Sequence, residues 1–347
     1  MARRVAELLR ELGAEVQTDD AGEKLGGETG NLIARVPSTM DAPPMLFCAH
    51  LDTVEPTEKL QVKREGNILS SDGNTILGAD DKAGVAALIE LLRALKEDGV
   101  PHPPLELVFT IAEEVGLMGS TVLDYSKVTA KYGFVPDSSG QVGLIINRAP
   151  AQKHLHVVIH GRAAHAGMAP EEGISAITVA ARAIAEMKQG RIDSETTANI
   201  GTIHGGKATN IVADTVTIEG EARSRDPRKL EEQIAHMHAC FVKAAEAAGA
   251  TAEITISEVY PAFNLDENSP AVRLAKAALQ ELDLAPIVQA TGGGSDANFL
   301  NGNGIETVIL SAGYHHPHCT NETLEVDQFV KLAEWMYRIV QLAGAAY

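Results

Sequence analysis

The stretch Met45-Leu46-Phe47-Cys48-Ala49-His50-Leu51-Asp52 decides how the rest of the chain is read. Its apolar run from Met45 to Ala49, closed by polar residues, has the length and content of a buried strand. Downstream, Gly84 to Gly99 carries Val85, Leu88, Ile89, Leu92 and Leu95 at the spacing of one helix face, with Gly99 as a stop. Leu105 to Ile111 (LELVFTI) is strand-like again, followed by Phe134-Val135 and Leu144 to Ile146. Strands separated by helices predict a mainly parallel sheet covered on both faces. Upstream, MARRVAELLRELG reads as an amphipathic helix and not as a signal, because it has no unbroken apolar stretch and no cleavage site.

The rhythm changes near residue 151. Leu155, Val157 and Ile159 alternate with His154, His156 and Val158, and a helix is predicted from Ile174 to Lys188. A strand around Asn199 to Ile203, a strand with Val216 and Ile218 inward, a helix from Arg228 to Ala248 and a strand carrying Ile254 and Ile256 complete a β-α-β-β-α-β order. That is the split βαβ pattern of ferredoxin-like domains. After Pro261 the α/β rhythm returns: Ser269-Pro270 opens a helix to about Asp283, Thr307 to Ser311 is a strand, and Asp327 to Leu342 is a helix. The expected organisation is one α/β domain, residues 1–150 and 262–347, interrupted by a small domain, residues 151–261.

Composition narrows the function. The 347 residues carry Lys+Arg 29 against Asp+Glu 47, a net charge of −18, which argues against nucleic acid and anionic membrane as partners. Three cysteines, Cys48, Cys240 and Cys319, make no disulfide framework and fit a reducing, cytoplasmic compartment. No apolar run approaches a membrane span. With aromatics at 4% and one Trp, the core must rest on aliphatic residues.

Two motifs fail. Gly201-x4-Gly206-Lys207 resembles a phosphate-binding loop, but Ala208 stands where a hydroxyl must hold Mg²⁺. Gly292-Gly293-Gly294-Ser295-Asp296-Ala297 has Ala297 where a nucleophile elbow needs Gly, so its glycines are read as letting backbone approach a ligand.

A third pattern holds. His50 and Asp52 share one side of their strand end, so the carboxylate can bond the ring nitrogen that a metal does not use. Asp80 and Asp81 precede the Gly84–Gly99 helix, Glu113-Glu114 follow LELVFTI, Asp137 follows Phe134-Val135, and His315-His316-Pro317-His318 follow the Thr307 strand. In an α/β sheet that edge is where ligands bind. Histidines and carboxylates without a thiolate cluster suit a hydrolytic Zn²⁺ or similar ion, with ligands enough for two.

HLDTV, LGADDKAG, TIAEEVGLMGS, PDSSG, GRAAHAGMAPEEGISAI, GGGSDAN and HCTNE occur in the order found in the co-catalytic zinc aminoacylase and peptidase family, and nearly the whole chain is covered. The family includes peptidase T, carboxypeptidase G, acetylornithine deacetylase and succinyl-diaminopimelate desuccinylase. LGADDKAG and AEEVGL most resemble the peptidase T branch. The resemblance implies a zinc-peptidase catalytic domain with an inserted lid or dimerisation domain, and a homodimer through that insertion. By position it implies two Zn²⁺ (Co²⁺ or Mn²⁺ as substitutes), one held by His50 and Asp137, the other by Glu114 and His318, with Asp80 bridging. His318 is preferred over His315 and His316 because Glu322 follows at the family's spacing. Asp52 would orient His50, Glu113 would serve as general base for the attacking water, and His165, Asn210 and Arg223 would contact substrate. Asp81 is expected to support the ligands without being one. Relatives usually begin with an extra helix; this chain starts about a helix later, with no ligand position missing.

The implied activity is removal of the N-terminal residue from short peptides, tripeptides among them. A deacylase or carboxypeptidase acting on N-acyl amino acids, and an inactive peptide-binding scaffold, are the alternatives. His154, His156, His236 and His238 are read as ordinary, Cys48 as buried, and Cys319 as adjacent to the site.

Overall fold

The computed structural model describes residues 1–345, which form two compact units. The first is Met1–Arg148 with the segment from Phe263 onward; the second is Ala149–Ala262.

At the centre of the first unit lie four parallel strands, in the order Leu105–Thr110, Met45–His50, Tyr132–Ser138 and Glu306–Ser311. Every residue of Met45–His50 and Leu105–Thr110 is buried, as expected of strands covered on both faces. Phe47 and Phe134 pack across neighbouring strands with ring centroids 5.4 Å apart. Helices Ala79–Asp98, Pro270–Glu281 and Val326–Ala345 pack into this core. The single tryptophan, Trp335, is fully buried there and its Nε1–H donates to the Ala275 carbonyl at 3.0 Å.

The edges of the sheet depart from the parallel rule. Leu32–Val36 joins Leu105–Thr110 antiparallel and itself pairs antiparallel with Glu15–Thr18. On the other side Leu144–Ala149 runs antiparallel to Glu306–Ser311 and pairs with Ile287–Ala290 and Phe263–Asn264. A separate small sheet orders Tyr314–His315, Thr323–Glu325, Ile68–Ser70 and Lys63–Glu65. The central helix starts at Ala79 and not at Gly84, because Asp80 and Asp81 belong to it only through a kink of non-helical backbone. Gly99 ends it in the left-handed conformation, φ 62°.

The second unit is a ferredoxin-like βαββαβ domain. Its antiparallel sheet runs Gly190–Arg191, Thr196–Gly205, Thr215–Ser224, Ala151–His160, Thr251–Tyr260. Leu155, Val157, Ile159, Val216 and Ile218 are fully buried in one core with residues of helices Ala176–Glu186 and Pro227–Ala248. The caps follow from sequence: Ser175 accepts the Thr178 N–H, Asp226 accepts the Arg228 N–H ahead of Pro227, and Gly249 closes the long helix at φ 68°. Gly201–Lys207 lies along and just past an antiparallel strand, the wrong setting for a phosphate loop.

Candidate active site

All four central strands end on one edge, and each delivers a polar residue there. His50 is the last residue of its strand, Asp137 the penultimate residue of its own, and Glu113-Glu114 stand just past Leu105–Thr110. His318 stands in the loop beyond Glu306–Ser311. Asp80 enters from the kinked start of the central helix.

Asp80 is the meeting point. Its Oδ1 lies 3.0 Å from His50 Nε2 and its Oδ2 lies 3.3 Å from His318 Nε2. Asp137 Oδ1 is 3.7 Å from His50 Nε2, and Glu114 Oε2 is 2.9 Å from His318 Nε2. Two overlapping groups, His50 with Asp80 and Glu114, and His50 with Asp81 and Asp137, bring ligand atoms within 4.8 Å of one another. Of the clustered histidines, His318 is the one that turns to these carboxylates; His315 Nε2 instead meets Glu325 Oε1 at 2.9 Å.

Asp52 ties the strand ends together. Its carbonyl accepts from His50 Nδ1 at 3.2 Å and from Lys82 Nζ at 2.8 Å. Its carboxylate accepts the Glu113 and Glu114 amide hydrogens, both at 3.1 Å. The sequence points to that carboxylate as the partner of His50, yet it stands 3.6 Å from Nδ1, and the backbone carbonyl makes the bond. The consequence for the ring is the same: Nδ1 carries a proton, and Nε2 is left facing the carboxylates.

The electrostatics are those of carboxylates crowded out of water. Burial, with the charge of Asp137 beside it, pushes Glu113 up to about 10. Asp137 is pushed up to about 7, first by burial, and Asp81 is raised well above the carboxylate range by burial and by Asp137. Asp81 Oδ1 accepts the Gly84 N–H at 3.0 Å while its Oδ2 is buried with no hydrogen-bond partner. A dication held among these groups would oppose each of these upward shifts. Two imidazoles and several carboxylates are also the donor set that Zn²⁺ accepts, so the residues fit the ions the sequence implies.

Three contributors were not legible as such. Ser295 Oγ donates to Asp137 Oδ2 at 3.2 Å, and Tyr314 Oη donates to Asp137 Oδ1 at 3.4 Å. Glu322, with 1% of its surface exposed, accepts from the loop that precedes Asp80. The glycine run before Ser295 points only to a close approach of a ligand, and a Cβ at Gly292 or Gly293 would meet nothing within 4 Å.

The remaining site candidates belong to the second unit. His165 is exposed, and its Nδ1 accepts the Gly167 N–H at 3.2 Å, so a neutral ring carries its proton on Nε2. The His165 turn is stitched to Asn210, whose carbonyl accepts the Ala166 N–H at 3.0 Å. Arg223 donates from Nε and Nη2 to the Glu221 carboxylate at 2.9 and 3.0 Å.

Cys48 is buried, as expected, and Cys319 is exposed beside His318. Among the described residues no helix is long and apolar enough to cross a membrane.

Residues 46–342 match the model of Peptidase family M20/M25/M40. The chain is 44% identical over 334 residues to the uncharacterized protein YqjE of Bacillus subtilis, covering 96% of this chain and 90% of that one. It is 30% identical over 283 residues to a peptidase T of Lysinibacillus sphaericus, covering 79% and 68%. Among solved structures, aminopeptidase PepT of Bacillus cereus superposes with a TM-score of 0.92 at 44% identity, covering 99% of this chain and 92% of that one. A tripeptidase of Staphylococcus aureus does so with a TM-score of 0.95 at 39% identity and the same coverage. With its sheet, its strand-edge cluster and these likenesses together, the chain belongs to Peptidase family M20/M25/M40 and is a hydrolase of that family.

Proposed function

We propose that this chain is a dinuclear metallopeptidase of the aminopeptidase type, removing the N-terminal residue of short peptides such as tripeptides. The observation that carries the reading is the split of one carboxylate between two histidines: Asp80 Oδ1 faces His50 and Oδ2 faces His318. A carboxylate so placed would serve two ions at once. His50 and Asp137 would hold one Zn²⁺, Glu114 and His318 the other, and Co²⁺ or Mn²⁺ could take their place. When bound, the ions supply Lewis-acid polarisation of the scissile carbonyl and acidify the attacking water.

The chain's own groups do the rest. Glu113, half-buried beside these residues, takes the proton from water and returns it to the leaving amine. Asp52 keeps both the His50 ring and the Glu113-Glu114 backbone in place. In this reading residues 1–150 and 262–347 are the catalytic domain, and residues 151–261 the lid and dimerisation domain. The Nε2–H of His165 serves as donor to the oxyanion. Asn210 and Arg223 contact the peptide, with Glu221 already neutralising the guanidinium. The reducing composition fits a cytoplasmic enzyme.

The names of the PepT and tripeptidase neighbours favour a free α-amine on the substrate. The Zn²⁺- or Co²⁺-loaded protein should release the first residue of a free tripeptide, and acetylating that tripeptide should abolish turnover. Faster hydrolysis of the acetylated peptide would assign the chain to the deacylases of the family.

A further inference from the structure

The loop that leads to Asp80 has an unusual anchor. Glu322 Oε2 accepts the amide hydrogens of Leu77 and Gly78 at 2.9 and 2.7 Å, and its Oε1 accepts that of Asp80 itself at 3.0 Å. One buried carboxylate thus satisfies three backbone donors at and just before the kinked helix start. Gly78 turns in the left-handed conformation, φ 73°, and Asp80 follows with non-helical angles, so helix geometry alone does not fix the Asp80 side chain.

Glu322 also belongs to the segment that presents His318. It closes a turn by donating its own N–H to the Cys319 carbonyl at 3.0 Å, immediately before the strand Thr323–Glu325. That strand pairs with Ile68–Ser70, at the head of the loop that runs on to Asp80. A second tie crosses the same gap, from Ser71 Oγ to the Thr320 carbonyl at 3.3 Å. The residue that holds the Asp80 backbone is therefore on the same short segment as the histidine that Asp80 must meet.

We propose that Glu322 is a positioning residue that sets the span between Asp80 and His318, and so makes Asp80 a bridge between two ions instead of a ligand to one. This rests on the dinuclear reading above. Its carboxylate touches backbone only among the contacts described, and it acts through Asp80. Removing a group that orients a metal ligand typically costs about 10–100-fold in metal affinity or activity.

The test uses the full chain, Glu322→Gln and Glu322→Ala, each titrated with Mn²⁺. Stoichiometry is read by equilibrium dialysis, and exchange coupling between the ions by electron paramagnetic resonance. Glu322→Gln keeps the size of the side chain but sets an NH₂ donor against backbone N–H groups, so it serves if the alanine variant fails to fold. The wild type should bind two coupled ions. The variants should bind the second ion at least about tenfold more weakly, lose the coupling signal, and lose kcat about tenfold or more with KM little changed. Two coupled ions and wild-type kcat in a folded variant, with only a lower Tm, would overturn the proposal and leave Glu322 a helix cap. A single uncoupled ion in the wild type would instead remove the dinuclear reading, and this proposal with it.

Discussion

The two sides of Asp80 are built differently. His50 ends a fully buried strand and has 1% of its side chain exposed; its ring is oriented from behind by the Asp52 carbonyl. Its companion Asp137 also lies on a central strand and receives hydrogen bonds from Ser295 and Tyr314. His318 stands on a loop at φ 63°, a conformation histidine enters more readily than most residues, and 52% of its side chain is exposed. Glu114, its companion, is only 7% exposed but sits one residue past Glu113 in a connecting segment. On one side both donors sit on buried central strands; on the other a half-exposed loop imidazole meets carboxylates that are themselves largely buried. On the dinuclear reading proposed above, the two ion positions should not be equal in affinity.

The largest effect is expected where the two sides join. Asp80→Ala should deprive both positions of a ligand, so metal analysis should find less than one tight ion per chain and activity should fall about a thousandfold. Normal metal content and turnover would remove the bridge, and the comparison would have no common member.

The next effect separates neighbours within one side. Glu113→Gln keeps shape and loses basicity, so kcat should fall about a hundredfold or more while metal content is unchanged. Glu114→Gln should lose an ion. The reverse pattern, read by elemental analysis beside kinetics, would exchange the roles of the two glutamates.

The smallest effect tests the asymmetry itself. His318→Ala should lose one ion and leave the ion-free Tm almost untouched, because an exposed loop side chain carries little folding energy. His50→Ala should lose the tighter ion and also lower the ion-free Tm by several degrees, since it opens a cavity among buried carboxylates. Equal Tm values for the two ion-free variants would mean that the fold does not distinguish the sides.

The central strands were legible because both of their faces are apolar, which leaves a continuous run such as Met45 to Ala49. Glu15–Thr18 and Lys63–Glu65 escaped because short, largely exposed edge strands carry no such run. The helix start was misplaced by five residues because Asp80 and Asp81 break helical geometry to serve the site, a local conflict that periodicity does not record. In the site, residues that end or follow a strand announce themselves, as His50 and Glu114 do. Ser295 does not, because its role depends on a hydrogen bond to a residue 158 positions away. Nor could the alternation of polar and apolar residues reveal that the Asp52 carbonyl, and not its carboxylate, accepts the hydrogen bond from His50 Nδ1.

Beside the strand Leu144–Ala149 lies the two-residue strand Phe263–Asn264, so the chain leaves the large sheet and re-enters it at one place. The stitch is explicit: Leu265 N–H donates to the Asn147 carbonyl at 2.9 Å, and Asn147 Nδ2 donates to the Leu265 carbonyl at 2.7 Å. A guest domain that begins and ends at adjacent points makes no demand on the spacing of its host. The guest can therefore be lengthened, shortened or exchanged without moving the strand edge that carries His50 and Asp137.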